Sequence, residues 1–233
     1  MPVPVLAPVV VVTATLALRG DSEVVPVYVK KPRGTMYWGG AGLDGPYVEP
    51  QLAAFRNAGI SHVSVGLTNT ATAYLPSMPG TILDAVRSGL ALRYNSSERW
   101  TITSGMEVPA PQFNLIGYSY GSLLAAHTAR SYANDGNIVD HLVLIGSPID
   151  KDFLTYLQGV ENIKKVIVID LKEHGDPIFA GMTQLELMTS VPTLGTQMGN
   201  NKGEGHFYYA HPVPDSPRRW KELAEKIYSE GLR

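Results

Sequence analysis

Ser119 lies at the centre of the sequence "GYSYG", two residues after Gly117 and two residues before Gly121. The apolar run "FNLIGYS" predicts a strand ahead of this serine, and "YGSLLAAHTARSYAND" predicts a helix after it. G-x-S-x-G between a strand and a helix is typical of a sharp turn that lifts a nucleophilic hydroxyl above the edge of a sheet. The two glycines are then needed because side chains there would collide with neighbouring backbone. The alternative is an ordinary tight turn with a serine helix cap.

A serine hydroxyl is a weak nucleophile until a base removes its proton, and the base is most often a histidine oriented by a carboxylate. In this type of site the acid and then the histidine follow the serine along the chain. His206, in the glycine-flanked loop "KGEGH", is the predicted base, and His211 is the reserve. His174 is more simply a loop residue. His127 is excluded because it lies about 12 Å along the predicted helix from Ser119.

Several acidic residues follow the predicted strand "KKVIVIDL", at the edge where parallel α/β sheets assemble their sites. Asp176 is the predicted acid, because its position between a glycine and a proline favours an extended loop that can aim a carboxylate inward. Asp170 is an alternative that ends the strand and is suited to bonding loop amides. Asp150 would serve if the acid lay one strand earlier in the chain.

An anionic intermediate at the serine would need backbone N–H donors, which together form an oxyanion hole. The amide of Tyr120 is the first candidate, because it follows the serine at the positive end of the predicted helix. The loop "WGGAG" after the predicted strand "TMYW" supplies Gly40 and Ala41 as candidates for a second donor, with Gly39 beside them. The alternative is that these glycines form an ordinary turn without a donor role.

Residues 40–45, "GAGLDG", also match the dinucleotide-binding pattern G-x-G-x-x-G. That pattern requires a helix opening at the third glycine and an acidic residue at the tip of the next strand. Here "PYVEP" is expected to intervene before a helix starts, and the following strand, "SHVSVGL", ends without Asp or Glu. A nucleotide-dependent dehydrogenase is therefore the rejected alternative, and no cofactor is expected.

The order of predicted elements favours one α/β domain over residues 1–233, with a mostly parallel central sheet flanked by helices. Early strands are predicted at "VVVVTATLAL", "VPVYVKK" and "TMYWGG", followed by a helix at "EPQLAAFRNAG" and the strand "SHVSVGL". Beyond the serine come the strand "HLVLIGSPI", a short helix at "KDFLTYLQGV", the strand "KKVIVIDL" and a closing helix at "SPRRWKELAEKIYSEG". Residues 68–105, with a predicted helix at 81–95, are expected to form either a small cap or a crossover insertion. Residues 171–205 give no definite pattern.

The composition argues against some binding partners and excludes some kinds of catalytic chemistry. The formal net charge of -2 gives no reason to expect nucleic-acid binding, and the absence of cysteine excludes thiolate metal sites and a cysteine nucleophile. No metal is expected. The apolar start of the chain is interpreted as a strand, because no Lys or Arg precedes it and it is too short for a membrane anchor. Location stays open between the cytoplasm and export by a dedicated secretion system, and so does oligomeric state.

Together, "YWGGAG", "GYSYG", the "GDP" loop and "GEGH" resemble the α/β-hydrolase superfamily from about residue 9 to the closing helix. The resemblance implies a serine esterase or lipase acting on an acyl ester or lipid, with Ser119 as nucleophile, Asp176 as acid and His206 as base. "GYSYGSLLAAHTA" and "IDLKEHGDPIFAG" are also similar to lipase domains of bacterial type VI secretion effectors. No apolar strand is predicted between Asp176 and His206, where the superfamily usually has one. The contrasting hypothesis is a binding protein that keeps the fold without the chemistry.

Overall fold

The computed structural model describes residues 33–41, 45–66, 90, 92–96 and 110–233. All strands of the described chain belong to one parallel sheet: β1 (Gly34–Trp38), β2 (Val63–Val65), β3 (Phe113–Tyr118), β4 (His141–Ile145) and β5 (Val166–Ile169). The strand order across the sheet is β2-β1-β3-β4-β5. The protein therefore has an α/β architecture.

Helices connect and follow these strands. They are α1 (Val48–Asn57), α2 (Tyr120–Asn134), α3 (Lys151–Gly159), α4 (Gln184–Asn200) and α5 (Ser216–Ser229). Short 3₁₀ helices span Lys172–His174 and Gly205–Phe207. None of the helices in the described ranges is both long and apolar enough to cross a membrane.

Every residue of β3 and β4 is buried, because helices cover both faces of the central strands. Successive side chains of β3 enter opposite cores. Leu115 packs in the core that includes Leu123 of α2 and Phe153 of α3. Ile116 packs in the core that includes Phe55 of α1 and Leu223 of α5. The near-continuous apolar character of these strands follows from this two-sided burial.

The strand order reverses between β1 and β3, since β1 has β2 on one side and β3 on the other. Trp38 and Gly117 are register partners at the carboxyl ends of these two strands. The loops that leave the strands therefore separate to opposite sides and open a crevice, which is where α/β sheets bind their ligands. Ser119 and the loop at residues 39–41 meet at this point.

The strands and helices predicted from "TMYWGG" to "SHVSVGL" and from "FNLIGYS" onward are confirmed, with ends that differ by a few residues. The strands predicted at "VVVVTATLAL" and "VPVYVKK" lie outside the described residues. So does nearly all of the 68–105 insertion with its predicted helix, of which only residue 90 and residues 92–96 are described. Within residues 171–205, α4 is a long helix that the sequence pattern did not predict. No strand separates Asp176 from His206 in this fully described segment.

One boundary prediction is wrong. The segment "PYVEP" does not delay a helix, because α1 begins at Val48 within it. Pro50 fits the first turn since the first amides of a helix have no partner inside the helix. The dinucleotide-binding pattern still lacks its acidic residue, because β2 contains neither Asp nor Glu.

Candidate active site

Ser119 occupies a sharp turn between the last residue of β3 and the first residue of α2. Its backbone has φ 55° and ψ −123°, a left-handed conformation that costs a non-glycine residue about 1–3 kcal/mol. The Ser119 amide donates to the Ile145 carbonyl of β4 at 2.8 Å, which ties the turn to the neighbouring strand. The Ser122 hydroxyl donates to the Ser119 carbonyl from within α2. Strain held in this way by its surroundings is typical of functional turns.

The two glycines flanking the turn are required by contact with backbone atoms. A Cβ at Gly117 would lie 2.4 Å from the carbonyl oxygen of Gly121 and 2.4 Å from the Ser122 Cα. A Cβ at Gly121 would lie 2.1 Å from the carbonyl oxygen of Gly39. Main-chain atoms cannot yield as a flexible side chain can, so the steric reason predicted for both glycines is confirmed.

His206 brings its imidazole directly to the serine. The distance from His206 Nε2 to Ser119 Oγ is 2.6 Å, although 87 residues separate them in the chain. The ring is nearly enclosed, with 8% of the side chain exposed. Tyr118 stacks against the ring with centroids 5.8 Å apart and donates its hydroxyl proton to the His206 carbonyl. Burial raises the pKa of Tyr118 well above its usual value, which keeps this hydroxyl protonated as a donor.

Asp176 contacts the other ring nitrogen. His206 Nδ1 lies 2.9 Å from Asp176 Oδ2 and 3.1 Å from Oδ1. A carboxylate can only accept here, so Nδ1 carries the proton and the lone pair of Nε2 faces the Ser119 hydroxyl. The carboxylate is fully buried and also accepts from the Ile178 amide at 2.8 Å. A Cβ at Gly146 would come within 3.3 Å of Asp176 Oδ2, so the end of β4 packs closely against this acid–base pair.

The alternative acids have other contacts. Asp170 Oδ1 accepts from the Ala180 amide at 3.0 Å, which is the loop-bonding role considered for it. Asp150 caps α3 by accepting from the Asp152 amide at 2.8 Å. Both carboxylates therefore stabilise local backbone, and Asp176 is the acid that meets His206.

The alternative histidines also have other neighbours. His174 stacks on Tyr208 with a centroid distance of 3.6 Å. His211 stacks on Phe207 at 4.6 Å and contributes to the wall of the cavity beside the serine. Burial lowers the pKa of His211, so it lies neutral in that wall at pH 7.

The predicted oxyanion donors lie around the serine. Tyr120 is the first residue of α2, and Gly40 and Ala41 line the same cavity as Ser119. The Gly40 amide donates to the Tyr47 hydroxyl at 2.6 Å, so this predicted donor has a partner within the protein. A substrate oxygen would have to replace that hydroxyl to reach the Gly40 amide.

A cavity of about 210 Å³ opens beside the serine hydroxyl. Part of the lining, the apolar wall, is aliphatic and aromatic and is contributed by Ile178, by α4 and by the second 3₁₀ helix with the loop after it. The described lining residues are Gly40, Ala41, Pro46, Tyr47, Tyr118, Ser119, Tyr120, Pro148, Ile178, Leu187, Leu194, Met198, His206, Phe207, Ala210 and His211. No Lys, Arg, Asp or Glu is among them, so the described wall offers no charged partner to a ligand.

Sequence reasoning missed three contributors to the site: Tyr47, Tyr118 and α4. The start of α4 does carry a signal, since Thr183 and Glu186 form a capping box that the spacing T-x-x-E indicates. Tyr118 carries no such signal, because its contact with His206 joins residues 88 positions apart. Tyr47 contacts Gly40 only seven positions away, but no sequence pattern indicates that contact. Comparisons of this chain with protein-family models, with curated proteins and with solved structures found no match.

Proposed function

We propose that the protein is a serine hydrolase that cleaves carboxylic esters with an aliphatic acyl group, through Ser119, His206 and Asp176. The single observation that carries the proposal is the continuous hydrogen-bonded chain from Ser119 Oγ to His206 Nε2 at 2.6 Å and from His206 Nδ1 to Asp176 Oδ2 at 2.9 Å. This is the geometry a nucleophile, a general base and an orienting acid require. It lies at the wall of a cavity, where a substrate carbonyl has access.

In the first half-reaction, Ser119 Oγ attacks the ester carbonyl carbon while His206 Nε2 takes the hydroxyl proton. The tetrahedral intermediate collapses as the protonated imidazole gives that proton to the leaving alkoxide, which departs as the alcohol. An acyl group then remains on Ser119. In the second half-reaction His206 deprotonates a water that attacks the acyl carbon, and proton return to Ser119 Oγ releases the carboxylic acid. Asp176 stabilises the imidazolium in both halves.

The intermediate's oxyanion needs donors on the side of the carbonyl opposite the base. The Tyr120 amide is the first, at the positive end of α2, where the helix dipole adds to the hydrogen bond. Ala41 or Gly40 supplies the second. For Gly40 this role requires the Tyr47 hydroxyl to give up its present bond to the Gly40 amide.

The cavity favours an acyl group of low polarity. Its apolar wall includes Ile178, Leu194, Met198 and Phe207, and no charged side chain is present among the described lining residues. Each methylene buried there contributes about 0.8 kcal/mol. A neutral acyl ester or lipid therefore fits this wall better than a charged acyl group. The same wall is what a lipase, phospholipase or simple esterase would need for the acyl part of its substrate.

Hydrolysis of p-nitrophenyl esters by Ser119→Ala tests the proposal. Activity should fall by about 10⁴-fold or more, since the nucleophile is removed while the cavity stays. Ser229→Ala is the matched control, because Ser229 is exposed on α5 and should leave turnover unchanged. Equal activity of Ser119→Ala and the wild type would refute the assignment of Ser119 as the nucleophile.

One observation favours the alternative of a binding protein without catalysis. The Gly40 amide is bonded to Tyr47, so one of the two candidates for the second oxyanion donor is occupied in this structure. A fluorophosphonate probe separates the two functions, because an activated serine becomes phosphonylated and an inactive one does not. Modification confined to Ser119 supports the hydrolase. An unmodified serine in a folded protein that binds acyl ligands supports the binding protein.

A further inference from the structure

Gln197, on α4, bonds to the peptide units that lead into both the acid and the base. Its Oε1 accepts from the His206 amide at 3.0 Å. Its Nε2 donates to the Gly175 carbonyl at 2.8 Å, and that carbonyl belongs to the peptide bond joined to Asp176. One side-chain amide thus fixes the relative position of the two loops that carry Asp176 and His206.

The approach of Gln197 depends on a glycine. Gly205 has φ +55°, and a Cβ on it would lie 2.1 Å from Gln197 Nε2. A side chain at position 205 would therefore expel Gln197 as well as strain the backbone. The loop before His206 is shaped to receive this amide.

The same turn of α4 forms part of the apolar wall of the cavity. Leu194 and Met198 line the cavity three residues before and one residue after Gln197. Residues three and four apart share a face of a helix, so Leu194, Gln197 and Met198 point toward the same region. An apolar group bound in the cavity would therefore pack against the turn that holds Gln197.

The rest of α4 restrains this turn weakly. Of its 17 residues only Leu187, Ser190 and Leu194 are buried. Pro192 lies inside the helix and lacks the amide that would bond to the preceding turn. Packing from a bound ligand is therefore a substantial addition to the few contacts that fix the second half of α4.

We propose that Gln197 is a positioning residue, and that α4 couples the binding of an aliphatic acyl chain to the alignment of Asp176 and His206. This inference rests on the proposed ester hydrolysis. An acyl chain long enough to reach Leu194 and Met198 steadies Gln197 and with it the acid–base pair. A longer chain then raises kcat itself, beyond the lower KM that added apolar contact would give.

The main variant is Gln197→Met, which keeps the length of the side chain but neither donates nor accepts as the amide does. With p-nitrophenyl acetate, butyrate, hexanoate and octanoate, the wild type should show kcat rising with chain length. Gln197→Met should lower kcat for the longer esters by roughly 10- to 100-fold, the effect expected of a misplaced base, with KM within about twofold. Its kcat should no longer rise with chain length.

Gln184→Met is the matched control, because Gln184 is an exposed residue of the same helix. Within the described residues its side chain accepts a hydrogen bond from the exposed Tyr94 hydroxyl, at 3.4 Å. This variant should keep the wild-type dependence of kcat on chain length. Leu194→Ala removes part of the wall and should reduce kcat for hexanoate and octanoate by a larger factor than kcat for acetate. Thermal unfolding of each variant checks that the fold is retained.

Gln197→Glu separates positioning from simple packing and serves if Gln197→Met does not fold. A protonated carboxyl both donates and accepts, as the amide does, whereas an ionised carboxylate only accepts. The ratio of variant to wild-type kcat should therefore rise as the pH falls from about 8 to about 5, toward the usual carboxyl range. A packing role would leave this ratio constant.

The results of these experiments distinguish failure of this inference from failure of the proposed function. An active wild type with Gln197→Met within twofold of its kcat, or a pH-independent ratio for Gln197→Glu, would overturn this inference while the proposed function stands. A wild type inert to every ester and to the fluorophosphonate would overturn the proposed function and the inference together. A kcat that loses its chain-length dependence only in Gln197→Met and Leu194→Ala supports the coupling.

Discussion

The two halves of the candidate site are built in different ways. The elbow half, residues 113–134, sets Ser119 by backbone: a strand, a strained turn and a helix that follow one another in the chain. The loop half, residues 170–180 and 203–211, sets Asp176 and His206 by side chains that reach them from elsewhere, chiefly Tyr118 and Gln197. The elbow half belongs to the core of the fold. The loop half is assembled on top of it.

The two halves should therefore respond differently to substitution. In the elbow half the atoms that position Ser119 also hold the sheet and α2 together, so damage there should lower stability and activity at once. In the loop half the positioning contacts add little to the core, so damage there should lower activity while the fold persists. Four substitutions test this contrast, from the largest expected effect to the smallest.

Asp176→Asn should have the largest effect, a fall in kcat of about 10⁴-fold for p-nitrophenyl butyrate. The amide can donate to His206 Nδ1, which places the ring proton on Nε2 and leaves no lone pair for the Ser119 hydroxyl. The unfolding midpoint should change little. A fall in kcat smaller than about 100-fold would contradict the role of Asp176 as orienting acid.

Gly121→Ala should damage both properties. The added methyl would lie 2.1 Å from the Gly39 carbonyl oxygen, so the elbow must shift away from the loop after β1. We expect the free energy of unfolding in urea to fall by about 3 kcal/mol and kcat to fall by roughly 100-fold. Gly195→Ala is the control on α4, where an added methyl meets nothing within 4 Å and should be neutral or stabilising. Full stability of Gly121→Ala would remove the proposed link between elbow and core.

Acid should weaken the elbow half through His127. Burial in α2 lowers the pKa of His127 from 6.5 to about 4, so the unfolded chain takes up its proton first as the pH falls. The resulting stability is present above pH 6.5 and is lost between there and pH 4, a change of about 3 kcal/mol. His127→Gln, which can still donate to the Leu92 carbonyl, should flatten this part of the urea-stability profile. An equally steep profile in His127→Gln would show that other groups cause the loss.

Tyr118→Phe should have the smallest effect. It removes one hydrogen bond to the His206 carbonyl and leaves the stacked ring in place. A loss of about 1 kcal/mol corresponds to roughly a fivefold lower kcat, and stability should fall by a similar amount. Because Tyr118 lies in the elbow half but acts on the loop half, the two losses measured together show how far the halves depend on each other. No change in kcat would assign this tyrosine to the core alone.

The contrast also explains what sequence could predict. Ser119, its two glycines and the flanking elements are encoded by neighbouring residues and by periodic apolar positions, so they were predictable. α4 was not predictable, because Pro192, Gly195 and Gly199 interrupt its helical pattern. The helix depends instead on tertiary contacts, which neighbouring residues in the sequence do not reveal. The preference for His206 over His211 was predicted from a glycine-flanked loop, whereas the contacts that decide between the two histidines were not. Five residues apart in one loop, they are distinguished by Gln197, Tyr118 and Asp176, which only the folded chain brings together.

The lack of charged groups in the described lining has a consequence for the last step of the proposed ester hydrolysis. A neutral ester enters this apolar wall without losing any ionic hydration, but hydrolysis turns its acyl part into a carboxylate. No cationic side chain among the described lining residues compensates for dehydrating that anion. The proposed reaction would thus convert an ester that matches the apolar lining into an anion that does not, and this carboxylate product should leave readily for water. Weak inhibition by added carboxylate product is the behaviour such a cavity should display.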